Sequence, residues 1–210
     1  LLDIPGLKPR TDNKVDIKIK KNQLVNFTYS GAKTEKGILS IETTKPLPYV
    51  NDPVDEFSLS DGLYKFKFVK SYKNFIQGIS TTEFILKPKK GLNIPHSYYD
   101  DDLQQDLYID FIKNSGTINF DAIGLSFIQN GNILQIIRNT FKNKVLVSKI
   151  ENLYGLNNAS EISKNSDLVM IDRGDLLAEI GANNLYKSIC EISNQAIINN
   201  KPLIMATENL

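Results

Sequence analysis

Residues 144–155 read KVLVSKIENLYG. Val145-Leu146-Val147 is a short β-branched and apolar run of the kind that forms a strand buried on both faces. It leads straight into Lys149 and Glu151, opposite charges two residues apart. In extended chain the side chains of i and i+2 leave on one face, so both can enter a single pocket at the strand's end. Taken alone, such a pair is more often a solvated surface ion pair worth under about 1 kcal/mol. What the neighbouring strands end in decides between the two readings.

Working outward, short apolar runs alternate with amphipathic segments from Gly91 onward. The spacing predicts strands over 120–128, 144–150, 167–171 and 202–206, and helices over 102–113, 133–141, 159–164 and 183–199. Leu185, Ile189, Ile192 and Ala196 mark one face of the last helix. Strands alternating with helices imply an α/β fold with a parallel sheet, open or closed into a barrel. Residues 1–9 read as a further strand of that sheet. Residues 10–87 carry a period of two instead (Val15, Ile17, Ile19; Val25, Phe27, Tyr29; Leu63 to Phe68) and form an inserted all-β module. Its turn signals are Asp12-Asn13, Lys36-Gly37, Asp52-Pro53, Asp61-Gly62 and Gln77-Gly78. The remaining βα units occupy 88–210.

Chemistry in parallel α/β folds collects at the carboxyl ends of the strands. Those ends carry Asp3, Ser126, Lys149 with Glu151, Arg173-Gly174-Asp175, and Thr207. Glu151 and Asp175, arriving from adjacent strands, are two hard carboxylates that suit Mg²⁺ with positions left for substrate or water. Gly174 lets the backbone approach a ligand, and N–H groups at such a turn can hold a carboxylate or phosphate. A structural ion pair between Asp175 and Lys149 is the alternative.

Composition excludes several classes. Lys and Arg number 25 against 24 Asp and Glu, so no net field gathers nucleic acid or an acidic membrane. The lone Cys190 excludes an internal disulfide framework and fits a reducing compartment, and the lone His96 leaves no His/Cys zinc site. No apolar run approaches a membrane span and no signal peptide is visible, so a cytoplasmic location is expected. The chain opens on Leu1 and closes on Asn209-Leu210, as a piece of a longer protein would.

Several blocks resemble pyruvate kinase: LLDIPGLKPRT (1–11), SDGL (60–63), KKGLNIP (89–95), LSFIQN (125–130), VSKIENLYG (147–155), EISKNSDLVMIDRGDLLAEI (161–180) and KPLIMATENL (201–210). The resemblance implies part of a (β/α)₈ TIM barrel, its third to seventh strands, with a small all-β lid domain inserted. It further implies phosphoryl transfer from phosphoenolpyruvate to ADP, giving pyruvate and ATP, with Mg²⁺ as cofactor and a homo-oligomeric parent protein. Lys149 would stabilise the transferring phosphoryl group and the enolate, Glu151 and Asp175 would hold Mg²⁺, and Gly174, Asp175 and Thr207 would meet the substrate. Asp3 matches a monovalent-cation ligand, while Arg10 and Lys90 match residues that meet nucleotide phosphates.

The chain departs from the family pattern at several positions. Ile4 stands in place of a threonine ligand and has no oxygen to offer, which argues against K⁺ dependence. Pro5, Gln129, Asp172, Leu177 and Glu208-Asn209 also differ, and Asp172 adds negative charge beside the carboxylate-binding turn. These changes leave two alternatives: a paralogue applying Mg²⁺ and enolate chemistry to another phosphorylated or keto-acid substrate, and a non-catalytic binding protein on the same scaffold.

Overall fold

The structure, a computed structural model, describes residues 1–50, 54–116 and 118–207. The expected turn at Asp52-Pro53 and the departure at Glu208-Asn209 lie outside the described residues. The chain divides into two compact units, one of Leu1–Leu7 with Asp100–Leu210 and one of Lys8–Tyr99.

In the first unit β1 (Leu2–Ile4) belongs to a parallel sheet whose other members come late in the chain. The second unit holds β2 (Ile17–Ile19), β3 (Leu24–Thr28), β4 (Leu39–Glu42), β5 (Tyr49–Val50), β6 (Glu56–Leu59), β7 (Tyr64–Tyr72), β8 (Phe75–Ser80), β9 (Phe84–Leu86), β10 (Leu92–Asn93) and β11 (Ser97–Tyr98). Six of these form a sheet in the order β10-β6-β7-β8-β3-β4, packed around Phe27, Phe57 and Phe66. Residues 88–99, expected with the later βα units, group with the β unit because β10 pairs with β6 and β11 with β5. Gln77-Gly78 is not a turn but lies inside β8. A Cβ on Gly78 would sit 2.5 Å from the Phe57 ring, so glycine is there for close packing, and the chain reverses instead at Asn74, whose φ is 61°. Val15 and Leu63, counted in the period-two pattern, lie outside the strands and are exposed.

The first unit resumes with α1 (Asp101–Asn114), β12 (Ala122–Leu125), α2 (Gly131–Thr140), β13 (Val145–Ile150), α3 (Leu153–Asn157), α4 (Ala159–Asn165), β14 (Leu168–Asp172), α5 (Arg173–Ile180), α6 (Ala182–Ile198) and β15 (Leu203–Ala206). Its five strands run parallel in the order β1-β12-β13-β14-β15, the sheet order following the chain order. This is the succession of βα units found in part of a (β/α)₈ barrel, accompanied by an all-β unit. Helix starts are fixed locally: Asp100, Asn130 and Asn152 each accept a backbone N–H in the first turn of α1, α2 and α3.

Alternation along the strands sorts their side chains. Ile4, Leu146, Ile150, Val169 and Ile171 join the helices in one core. Asp3, Lys149 and Asp172, at the intervening positions, therefore leave on the opposite face. Among the described residues no helix is long and apolar enough to cross a membrane.

Candidate active site

Lys149 is the penultimate residue of β13 and Glu151 follows the strand directly. Both are buried, at 8% and 1% exposure, so the pair is not a solvated surface bridge. The Lys149 ammonium stands 3.3 Å from Glu151 Oε1 and 3.3 Å from Asp3 Oδ1, and donates to Ser126 Oγ at 3.0 Å. Register accounts for this meeting, because Leu125 is paired with Ser148, so that Ser126 arrives level with Lys149. Ser126 was visible at a strand end, but its bond to Lys149 follows from register, which the sequence does not spell out.

The environment acts on both charges. Burial disfavours the Lys149 ammonium, yet the negative charges of Glu151 and Asp3 outweigh it and the net direction of its pKa is upward. Lys149 thus remains a cation. Burial pushes the Glu151 carboxyl up, and although Lys149 opposes this, the charges of Asp175 and Asp172 add to it; the value reaches about 8. The Phe127 N–H donates to Glu151 Oε2 at 2.6 Å and pulls in the other direction.

Glu151, Asp172 and Asp175 each offer a carboxylate oxygen, and those oxygens lie within 4.8 Å of one another. Carboxyl oxygens from three side chains at this spacing fit a divalent cation such as Mg²⁺, whose binding would release the Glu151 proton. The sequence pointed to Glu151 and Asp175; Asp172, read there only as added charge, completes the group. A monovalent cation fits less well. Ile4 is fully buried in the apolar core, and the Asp3 carboxylate already faces the Lys149 ammonium.

Arg173 to Asp175 begin the eight-residue helix α5, longer than the short helical turn expected to open there. Asp172 precedes the helix without capping it, its Oδ1 accepting instead from the Thr207 hydroxyl at 2.8 Å. Thr207 Oγ1 in turn accepts the Gly174 N–H at 3.1 Å. Arg173 Nε donates to the Thr207 carbonyl at 3.0 Å. Thr207 is held in the left-handed region, φ 56°, a conformation a β-branched residue rarely adopts and one that costs of order 1–3 kcal/mol. Asp172, Gly174 and Thr207 thus form one hydrogen-bonded group. The Gly174 N–H, expected to meet a substrate carboxylate, is engaged with Thr207 in this arrangement.

Arg10 and Lys90 belong to the β unit. There they lie on adjacent chains, since Thr11 N donates to the Lys90 carbonyl at 2.8 Å and Arg10 is bridged to Gly91. Arg10 is exposed, and its guanidinium donates to the Lys89 carbonyl at 3.2 Å.

Comparison with known proteins gives the same direction. The family profile for the pyruvate kinase barrel domain matches residues 1–210. Similar proteins include the pyruvate kinase of Hypocrea jecorina, 30% identical over all of this chain and 41% of the relative. That of Thermococcus litoralis is 29% identical over 99% of the chain and 45% of the relative. The cytosolic isozyme of Nicotiana tabacum is 34% identical over 60% of the chain. The chain spans less than half the length of the first two relatives. With a profile matched from end to end and the strand-end residues gathered around Lys149, the chain belongs to the pyruvate kinase family, within its barrel domain.

Proposed function

We propose that the whole protein transfers the phosphoryl group of phosphoenolpyruvate to ADP, yielding ATP and, after protonation of the enolate carbon, pyruvate. The observation that carries this reading is the buried Lys149 ammonium, 3.3 Å from Glu151 at the edge of a three-carboxylate group. Phosphoryl transfer asks the protein mainly for positioning and charge stabilisation. Lys149, its pKa raised despite burial, supplies a fixed positive donor to the phosphoryl oxygens and to the enolate oxygen as charge develops there. Glu151 and Asp175, with Asp172 beside them, would hold Mg²⁺. When bound, Mg²⁺ supplies Lewis-acid neutralisation of phosphoryl and enolate oxygens. The Thr207 hydroxyl, Gly174 and Asp175 would lie against the carboxyl end of the substrate, and Arg10 and Lys90 would meet nucleotide phosphates. The reaction fits a cytoplasmic, homo-oligomeric enzyme without nucleic-acid or membrane partners.

One observation favours a second reading, a paralogue acting on a different phosphorylated or keto-acid substrate. Asp172 Oδ1 accepts the Thr207 hydroxyl and Thr207 Oγ1 accepts the Gly174 N–H, so an internal carboxylate is joined to donors that a substrate carboxylate would use. Supplying the full-length protein with phosphoenolpyruvate, ADP and Mg²⁺ separates the two. Pyruvate formed in step with ATP supports the first reading, and Mg²⁺ binding without pyruvate formation supports the second.

A further inference from the structure

Helix α1 presents two polar side chains to the interior of the first unit. Gln104 and Tyr108, four residues apart and so on one face of the helix, are both 0% exposed. Tyr108 belongs to an otherwise apolar core with Ile112, Ile123 and Leu125. Buried polar groups in such surroundings cost free energy unless they are hydrogen-bonded, and an apolar pair would fill the space without that demand.

Their partners are two successive carbonyls just past the end of β12. The Tyr108 hydroxyl donates to the Ser126 carbonyl. Gln104 Nε2 donates to the Phe127 carbonyl at 2.7 Å and to the Tyr108 oxygen at 2.6 Å. On the other side the same segment is tied to the sheet, Ser126 N donating to the Ile4 carbonyl at 3.1 Å and Ile128 N to the Lys149 carbonyl at 3.3 Å. Gly6 admits the segment closely, since a Cβ there would lie 2.5 Å from the Ser126 carbonyl oxygen.

The segment so held is strained. Phe127 has φ 58°, a region that bulky residues other than glycine avoid at a cost of order 1–3 kcal/mol. That turn of the backbone aims the Phe127 N–H at Glu151 Oε2, 2.6 Å away, while Ser126 Oγ meets Lys149. The Ser126 carbonyl and the Phe127 N–H belong to one planar peptide unit, so the bond that holds the carbonyl also fixes the direction of the N–H towards Glu151.

We infer that Gln104 and Tyr108 are positioning residues, which hold the Ser126-Phe127 backbone in the conformation that orients Glu151 and Lys149. Its consequence for metal binding rests on the function proposed above; the structural claim does not. Burial, with the charge of Glu151 adding to it, keeps the Tyr108 hydroxyl protonated and therefore a donor.

The test is amide hydrogen exchange at Phe127 together with Mg²⁺ titration by calorimetry, in the full-length protein and in its Tyr108→Phe variant. Tyr108→Phe retains the ring and removes only the donor. Exchange at Phe127 should quicken roughly 5- to 10-fold, the loss expected for one net hydrogen bond, with the amides of β13 and β14 unchanged. Mg²⁺ affinity should weaken roughly tenfold, as for residues that orient metal ligands. Gln104→Met, which leaves Tyr108 its own bond to Ser126, should give the same pattern in smaller degree. Unaltered Phe127 exchange in both variants, or a rise shared equally by β13 and β14, overturns the positioning role. Failure of the parent protein itself to bind Mg²⁺ would count against the proposed function, and the exchange comparison would still decide the role of Tyr108 and Gln104.

Discussion

Glu151 shows how a single buried carboxylate ties fold to chemistry. Its pKa in the fold, about 8 against an ordinary 4.5, means that the folded chain holds a proton which the unfolded chain has released. Stability from this group is fully present below about 4.5 and is lost as pH rises through about 8. The metal-free thermal midpoint should therefore fall across that window, and Glu151→Gln should flatten the fall; a midpoint that rises with pH in the parent and in the variant alike would refute this. Asp172 acts at the same scale. Asp172→Asn removes one of the three clustered carboxylates and should weaken Mg²⁺ binding several-fold in calorimetry, whereas unchanged affinity would take Asp172 out of the metal group. The sequence marked Lys149, Glu151, Asp175 and Thr207 through their positions at strand ends. It did not mark Phe127, whose contribution is a backbone N–H in a left-handed conformation, nor Gln104 and Tyr108, whose partners are carbonyls of a loop 23 and 18 residues further on.

At the scale of elements, the parallel strands could be read because apolar runs buried in the sheet leave a clear mark, and helices with a periodic apolar face did so as well. Helix α5 could be read only as a short helical turn, because the N–H of Gly174 at its start is satisfied by Thr207, 33 residues away, rather than by a local cap. Gly78 was misread for a related reason: its role is set by Phe57 and Phe66 across the sheet, which sequence neighbours do not reveal. Gly78→Ala would overpack that contact and should destabilise the β unit by about 1–3 kcal/mol in denaturant unfolding. Loss of the α3 cap in Asn152→Ala, where Asn152 Oδ1 accepts the Gly155 N–H at 2.8 Å, should cost about 0.5–2 kcal/mol. An unaffected midpoint in either variant would show that neighbouring side chains repack around the change.

For the whole molecule, the parallel sheet brings residues from its five strands together, and the charges there are Lys149 and Arg173 against Asp3, Glu151, Asp172 and Asp175. That balance favours a divalent cation. With Ile4 buried and Asp3 facing Lys149, turnover should be the same in Na⁺ and in K⁺ buffers, and strong activation by K⁺ would show that another oxygen set replaces the missing ligand. The central claim is that the Lys149 ammonium stabilises the charge that moves during phosphoryl transfer. Its most direct test is pyruvate formation from phosphoenolpyruvate and ADP by the full-length protein and its Lys149→Met variant, each with saturating Mg²⁺ and each checked for an intact fold. Turnover should drop roughly 10³-fold or more in the variant, whereas equal turnover in the two proteins would contradict the assignment.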